Sequence, residues 1–192
     1  MAEHDELVNR IMAQIEQTKL YCHTDSLVPV LKKNNTERRL STDIDVMGLW
    51  FNNHYQVNGV IAEIKTGKKG PLKERNETLH SDCKIKKQLF KGYFSLKNFL
   101  EKHGFEIGEL KTFLIYESKT ESRGHYSLLV PQKEINELQE DYNPHFFQLY
   151  SDYQKSLEGK LRYHMENKSH LIHSRVNLSC PLFSQDQLKV VH

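Results

Sequence analysis

The chain has 192 residues, 38% of them hydrophobic and 27% charged, with a formal net charge of +2. These values describe an ordinary globular protein of one domain with a full core, and a near-neutral balance that does not by itself announce a polyanion partner. No apolar run reaches the eighteen or so residues of a membrane span, and MAEHDELVNR opens the chain with charge in place of a secretory leader, so the expected location is the cytoplasm or the nucleoid and not outside the cell.

In chain order, residues 5–18 place Leu7, Ile11 and Ile15 at four-residue steps and predict an amphipathic helix. SLVPVLKK reads as a short edge strand, because Pro29 cannot donate to a central ladder. RRLSTDIDVMGLWF and YQVNGVIAEIKT follow as two strands joined by a turn, and GKKGPLKERNETLH is a loop. A helix is expected from about Asp82 to His103, with Ile85, Leu89, Leu96 and Leu100 as its core stripe and Gly104 closing it. LKTFLIYE and GHYSLLVP predict two more strands. NPHFFQLYSDYQKSLEGKLRYHM predicts a helix on the spacing of Phe146, Tyr150, Tyr153, Leu157 and Leu161, and HLIHSRVNL a last strand. Helices alternating with strands place the chain in the α/β class, with helices packed on a sheet. Residues 1–192 read as a single domain, with a core over about 5–131 and a C-terminal helical elaboration over about 132–192.

Cys22, Cys83 and Cys180 are odd in number and far apart, which argues against a disulfide framework or a zinc motif and for a reducing compartment. His164, His170 and His173 have no cysteine partners and carry no metal motif. GKKGPLKER lacks the G-K-[ST] of a phosphate-binding loop. Trp50 and the aromatic residues 142–153 read as packing. Charge is uneven along the chain: residues 61–100 hold ten Lys or Arg against four Asp or Glu. Lys84, Lys87 and Lys91 fall on one helix face, and Lys68, Lys69 and Lys73 in the preceding loop. A basic zone in a near-neutral chain is compatible with a nucleic acid gripped through its phosphates, but taken alone it reads first as a solvated helix face and a lysine-rich loop.

The acids in the two central strands need a separate reason. Residues two apart share a strand face. Asp43 and Asp45 therefore share one face, and Glu63 and Lys65 share another, opposite Val60, Ala62 and Ile64. On neighbouring strands Asp45 and Glu63 can converge, where each raises the pKa of the other. A divalent cation removes that cost, and oxygen ligands favour Mg²⁺, with Mn²⁺ as substitute. Lys65 can balance charge or hold a water, so acid, acid and lysine together can activate water beside a phosphodiester.

DIDVMG followed by a strand ending in AEIKTG resembles the core signature of the PD-(D/E)XK, or restriction-endonuclease-like, nuclease superfamily. The resemblance covers residues 5 to 118 in element order, sharpest over 43–67. It implies an αβββαβ core: a mixed central sheet flanked by helices, here with an extra C-terminal helix and strand. It implies Asp45 and Glu63 as metal ligands, the Ile64 carbonyl as a further one, and Lys65 as the residue that orients the attacking water. Gln88 matches a helix position used by several branches, and Tyr93 falls five residues on where the usual spacing is four. Glu6 or Glu16 on the first helix could add an acid, Glu16 lying nearer the helix end, and Asp43 could support the metal through water. Thr42-Asp43-Ile44-Asp45 stands where the family's Pro-Asp would be. The implied activity is Mg²⁺-dependent hydrolysis of DNA, as an endonuclease, with RNA as an alternative substrate and an inactive nucleic-acid-binding or protein-interaction module as the rival reading. A homodimer or a partner subunit is compatible with either.

Overall fold

The structure, a computed structural model, describes residues 2–17, 23–25, 28–32, 42–66, 84–118, 124–167 and 190–191. Its elements in chain order are α1 (Ala2–Gln17), β1 (His23–Asp25), β2 (Val28–Lys32), β3 (Thr42–Ile44), β4 (Val46–Phe51), β5 (Val57–Lys65), α2 (Lys84–Lys102), β6 (Ile107–Ser118), β7 (Gly124–Val130), α3 (Gln132–Asn136), β8 (Phe147–Leu149), α4 (Ser151–Glu166) and β9 (Val190–Val191). Six strands form a mixed sheet in the order β1-β4-β5-β6-β7-β9. β5 and β6 are parallel, and the other neighbours are antiparallel. A second sheet of three antiparallel strands runs in the order β3-β2-β8. The chain is thus α/β, as its alternating patterns predict.

The strand β5 lies inside the sheet and is buried along nearly its whole length. That is why VNGVIAEIK reads as an apolar run and not as a polar alternation. Its two faces carry two cores. On one, Val60, Ala62 and Ile64 join Val46, Trp50, Phe113 and Ile115 beneath Leu7, Val8, Ile11 and Ile15 of α1. On the other, Val57 and Ile61 join Met47, Leu49 and Leu114 beneath Ile85, Leu89, Leu96 and Phe99 of α2. Trp50 is in the first core, as its place in an apolar run suggests. A parallel pair needs a crossover, and α2 supplies it between β5 and β6. Gly104 ends α2 at φ 71° with its N–H donating to Glu101, the left-handed closure that its glycine anticipates.

Several expectations need correction. RRLSTDIDVMGLWF is not one strand: over its described part the chain bends at Asp45, so that β3 belongs to the second sheet and β4 to the first. β2 is not an edge but the middle of its sheet. Pro29 is tolerated there because β8 pairs only from Val30 onward, while Pro29 faces Asp43 of β3. The helix expected over 143–165 begins only at Ser151; Pro144–Phe146 is a single 3₁₀ turn and Phe147–Leu149 is a strand. Phe147 and Leu149 are buried and Gln148 is not, a period of two inside an aromatic stretch that also fits a helical spacing. The strand expected in HLIHSRVNL lies outside the described residues. Among the described residues no helix is long and apolar enough to cross a membrane.

One glycine sets the distance between α2 and the sheets. A Cβ on Gly92 would stand 2.9 Å from Ile44 Cγ1 and 3.3 Å from Ile61 Cγ2. Alanine is better than glycine inside a helix by about 1 kcal/mol, but overpacking a core costs about 1–3 kcal/mol. Gly92→Ala is therefore expected to lower stability by about 1 kcal/mol net in urea unfolding; a more stable variant would show that α2 is free to move off Ile44.

Candidate active site

The bend at Asp45 builds the site. Ile44 is held under Gly92 on one side, and Val46 enters the ladder with β5, opposite Ala62. Asp45 sits between the two sheets, and its carboxylate takes the place of a ladder partner: Oδ2 accepts the N–H of Ile64 at 2.7 Å, from nineteen residues away in the chain. In an antiparallel pair the N–H and C=O of one residue point to the same neighbour, so the Ile64 carbonyl opens toward the same edge. Asp45 is 7% exposed and Glu63 3%.

The structure brings Asp45, Glu63 and Lys65 together, as strand alternation predicts for the second and third. Lys65 Nζ forms an ion pair with Glu63 Oε1. Burial first, and then the neighbouring charge of Asp45, push the Glu63 carboxyl up to about 7, while Lys65 pulls it back down. Of the two buried carboxylates Glu63 has the Lys65 ammonium, while Asp45 has the Ile64 N–H and the His4 ring beside it.

Gln88 is brought to the same level. α2 runs opposite to β5, and its Gly92 stands over Ile61. One helical turn back toward the N-terminus, about 6 Å, is Gln88. Two residues on from Ile61, about 6.6 Å along the strand, is Glu63. The Oε1 atom of Gln88 is buried with no hydrogen-bond partner among the described residues. Tyr93 is not brought in. It packs edge-on against Phe94, and its hydroxyl is raised by burial and then by Glu101, further along α2 toward its C-terminal end.

Other candidates are scattered. Asp43 is exposed on β3, in the second sheet, and the bend removes it from the strand face that it was expected to share with Asp45. Glu6 is exposed and pairs loosely with Arg10 at 3.8 Å. Glu16 lies twelve residues from His4, about 18 Å of helix axis, and it is the His4 end of α1 that meets Asp45. Lys84 is exposed, and Lys87 and Lys91 are half-buried. Lys68, Lys69 and Lys73 lie outside the described residues.

His4 was missed by sequence reasoning. Its Nε2 is 3.5 Å from Asp45 Oδ2, and its Nδ1 is 3.3 Å from Asp5 Oδ1. The signal was in the periodicity: His4 is three residues before Leu7 and four before Val8, on the stripe that α1 turns to the sheet. Beginning the helix at residue 5 cut it off.

Among the described residues no three His, Cys, Asp or Glu side chains are gathered as a ready metal cluster. The donors on hand are the carboxylates of Asp45 and Glu63, the Ile64 carbonyl and the His4 ring. No protein-family model, no curated protein and no solved structure matches this chain.

Glu63 makes stability depend on pH. Below its ordinary value of 4.5 it is protonated whether the chain is folded or not. Between 4.5 and about 7 the unfolded chain has released that proton and the folded one has not, so stability falls as pH rises. Glu63→Gln cannot titrate. Its stability relative to the native chain is expected to improve steadily from pH 4.5 to pH 7 and then level off, measured as urea midpoints without divalent cations. A constant difference would mean that Glu63 ionises as freely as an exposed carboxylate.

Proposed function

We propose that this chain is a metal-dependent nuclease that hydrolyses phosphodiester bonds of DNA, cutting internally, with Asp45, Glu63 and Lys65 as its catalytic residues. The observation that carries the reading is the meeting of two buried carboxylates and one ammonium at the junction of β4 and β5. Burial of unpaired charge is costly, and a surface that only docks a partner gains nothing from it. With β2 and β3 set aside in the second sheet, the elements α1, β1, β4, β5, α2 and β6 are compatible with an αβββαβ core, because the Asp precedes one strand of an antiparallel pair and the Glu-x-Lys lies at the end of the other.

The donor set fits a hard divalent cation. Asp45, Glu63 and the Ile64 carbonyl are oxygen ligands, and a cation held among them would offset the burial and the Asp45 charge that raise the Glu63 carboxyl. Held there, Mg²⁺ or Mn²⁺ supplies a Lewis acid for the phosphate and a water of lowered pKa. The protein's own groups do the rest. With a cation held by Asp45, Glu63 and the Ile64 carbonyl, Lys65 Nζ would be the group to hold the attacking water and to balance the charge developing on the phosphate. The orphaned Oε1 of Gln88 is an acceptor for a proton of that water. Ile64 N–H holds the Asp45 carboxylate by its Oδ2 atom. Lys84, Lys87 and Lys91, on one face of α2, would supply phosphate contacts that make affinity independent of sequence and steeply dependent on salt.

Cleavage of supercoiled plasmid and of single-stranded RNA by the purified chain, with Mg²⁺, Mn²⁺ or EDTA, tests the reading. Plasmid cutting is expected with either metal and none with EDTA. Lys65→Ala and Asp45→Asn, whose amide oxygen can still accept the Ile64 N–H, are expected to lose at least about 100-fold in rate while circular dichroism shows the fold intact. Equal cutting in EDTA would remove the metal mechanism, and cutting of RNA alone would move the substrate.

A further inference from the structure

We propose that a cavity at the C-terminal end of α2 binds a guanine nucleotide, at a site separate from Asp45 and Glu63 and independent of the nuclease reading. The cavity has a volume of about 470 Å³ and lies between the end of α2, the Pro144–Phe146 turn with β8, and the first turn of α4. A volume of this size is that of a small-molecule site. Asn98 on its wall is ten residues along α2 from Gln88, about 15 Å of helix axis.

The cavity has an apolar floor and polar groups with unused capacity. Phe99, Phe147 and Leu149 supply the floor. An amide side chain carries two donor hydrogens and one acceptor oxygen. Asn98 donates to the carbonyls of Pro144 and Phe147, at 2.9 and 2.8 Å. What it has left is Oδ1, which is not buried and has no partner among the described residues. Gln154 donates from Nε2 to the Leu149 carbonyl at 2.6 Å and likewise keeps its Oε1. Neither amide can flip without setting its oxygen against a carbonyl, so both are fixed as acceptors. Gln148 has no side-chain partner among the described residues, and its amide can donate and accept at once.

Two fixed acceptors and one adaptable amide call for a flat ligand with neighbouring donors. Guanine has them: N1–H and the N2 amino group lie side by side on one edge, next to the O6 acceptor. Adenine, cytosine and uracil each offer a donor at one position of that edge. Lys102 and His145 also line the cavity, and neither side chain has a partner among the described residues. Together they can take a 5′-phosphate through charge-assisted hydrogen bonds. Glu101, the acid on the same wall, pairs with Lys97 at 3.8 Å.

The test is calorimetric titration of the full chain in EDTA with guanosine 5′-monophosphate, uridine 5′-monophosphate and guanosine. The guanine nucleotide is expected to bind saturably. The uridine nucleotide is expected to bind at least about tenfold more weakly, for want of the second donor, and guanosine about tenfold more weakly, for want of the phosphate. Lys102→Ala should bring the guanine nucleotide down to the level of guanosine, and Gln148→Ala should narrow the gap between the two nucleotides. Neither side chain has a partner to lose among the described residues, and circular dichroism checks that the fold is kept. A guanine-ended RNA tetranucleotide is the last probe. If it displaces the mononucleotide the site reads a strand end, and if it does not the site takes the free nucleotide; both uphold guanine recognition. No binding of the guanine nucleotide, equal binding of the uridine nucleotide, or binding that neither substitution alters would overturn the proposal. Because the readout is binding without metal, it can fail while plasmid cutting stands, and stand while cutting fails.

Discussion

The hydrogen bond from the Ile64 N–H to Asp45 is the constraint on which the site depends. It ends the β4–β5 ladder with a side chain in place of a backbone carbonyl. It lets the chain turn out of the second sheet and into the first within a single residue. And it puts a carboxylate beside Glu63 with one oxygen already committed. The peptide group of Ile64 thus ties together the strand end, the sheet junction and the charge of the site.

Such an arrangement has a cost that the rest of the fold must bear. Two acids that are almost wholly buried, with one lysine paired to Glu63, are worse for stability than an apolar pair of the same shape. The opposing contributions come from the layers on either side: α1 laid on Val60, Ala62 and Ile64, and α2 pressed against Ile44 and Ile61 through Gly92. The charged residues of β5 stand at its end beside Ala62 and Ile64, so the strand that carries the acid is also firmly held. α2 is further tied by the Lys86–Glu134 ion pair to α3, and at its far end His103 bonds Glu158 of α4. Rigid neighbours of this kind keep a strained site in one geometry.

How much of this was legible in the sequence follows from the range of the interactions. Alternation put Glu63 and Lys65 on one face of β5 and Val60, Ala62 and Ile64 on the other, because a period of two is a local property of extended chain. The stripes of α1 and α2 were readable for the same reason at 3.6 residues. The bend at Asp45 was not, since what stabilises it is the N–H of a residue nineteen positions away; read locally, TDIDVMGLWF is an unbroken strand. β8 was hidden by Phe146, Tyr150 and Tyr153, whose spacing suits a helix. Only pairing with β2 decides the matter for Phe147–Leu149. His4 escaped because a single ring ahead of an amphipathic run has no meaning until the fold brings Asp45 to it.

The central claim is that Asp45 and Glu63 converge on one cation. Anomalous diffraction from crystals soaked in Mn²⁺ tests it most directly. The expected result is a peak bridging the Asp45 and Glu63 carboxylates beside the Ile64 carbonyl, with Lys65 drawn away from Glu63. Crystals saturated with Mn²⁺ that show no peak there, and the Lys65–Glu63 ion pair undisturbed, would contradict it.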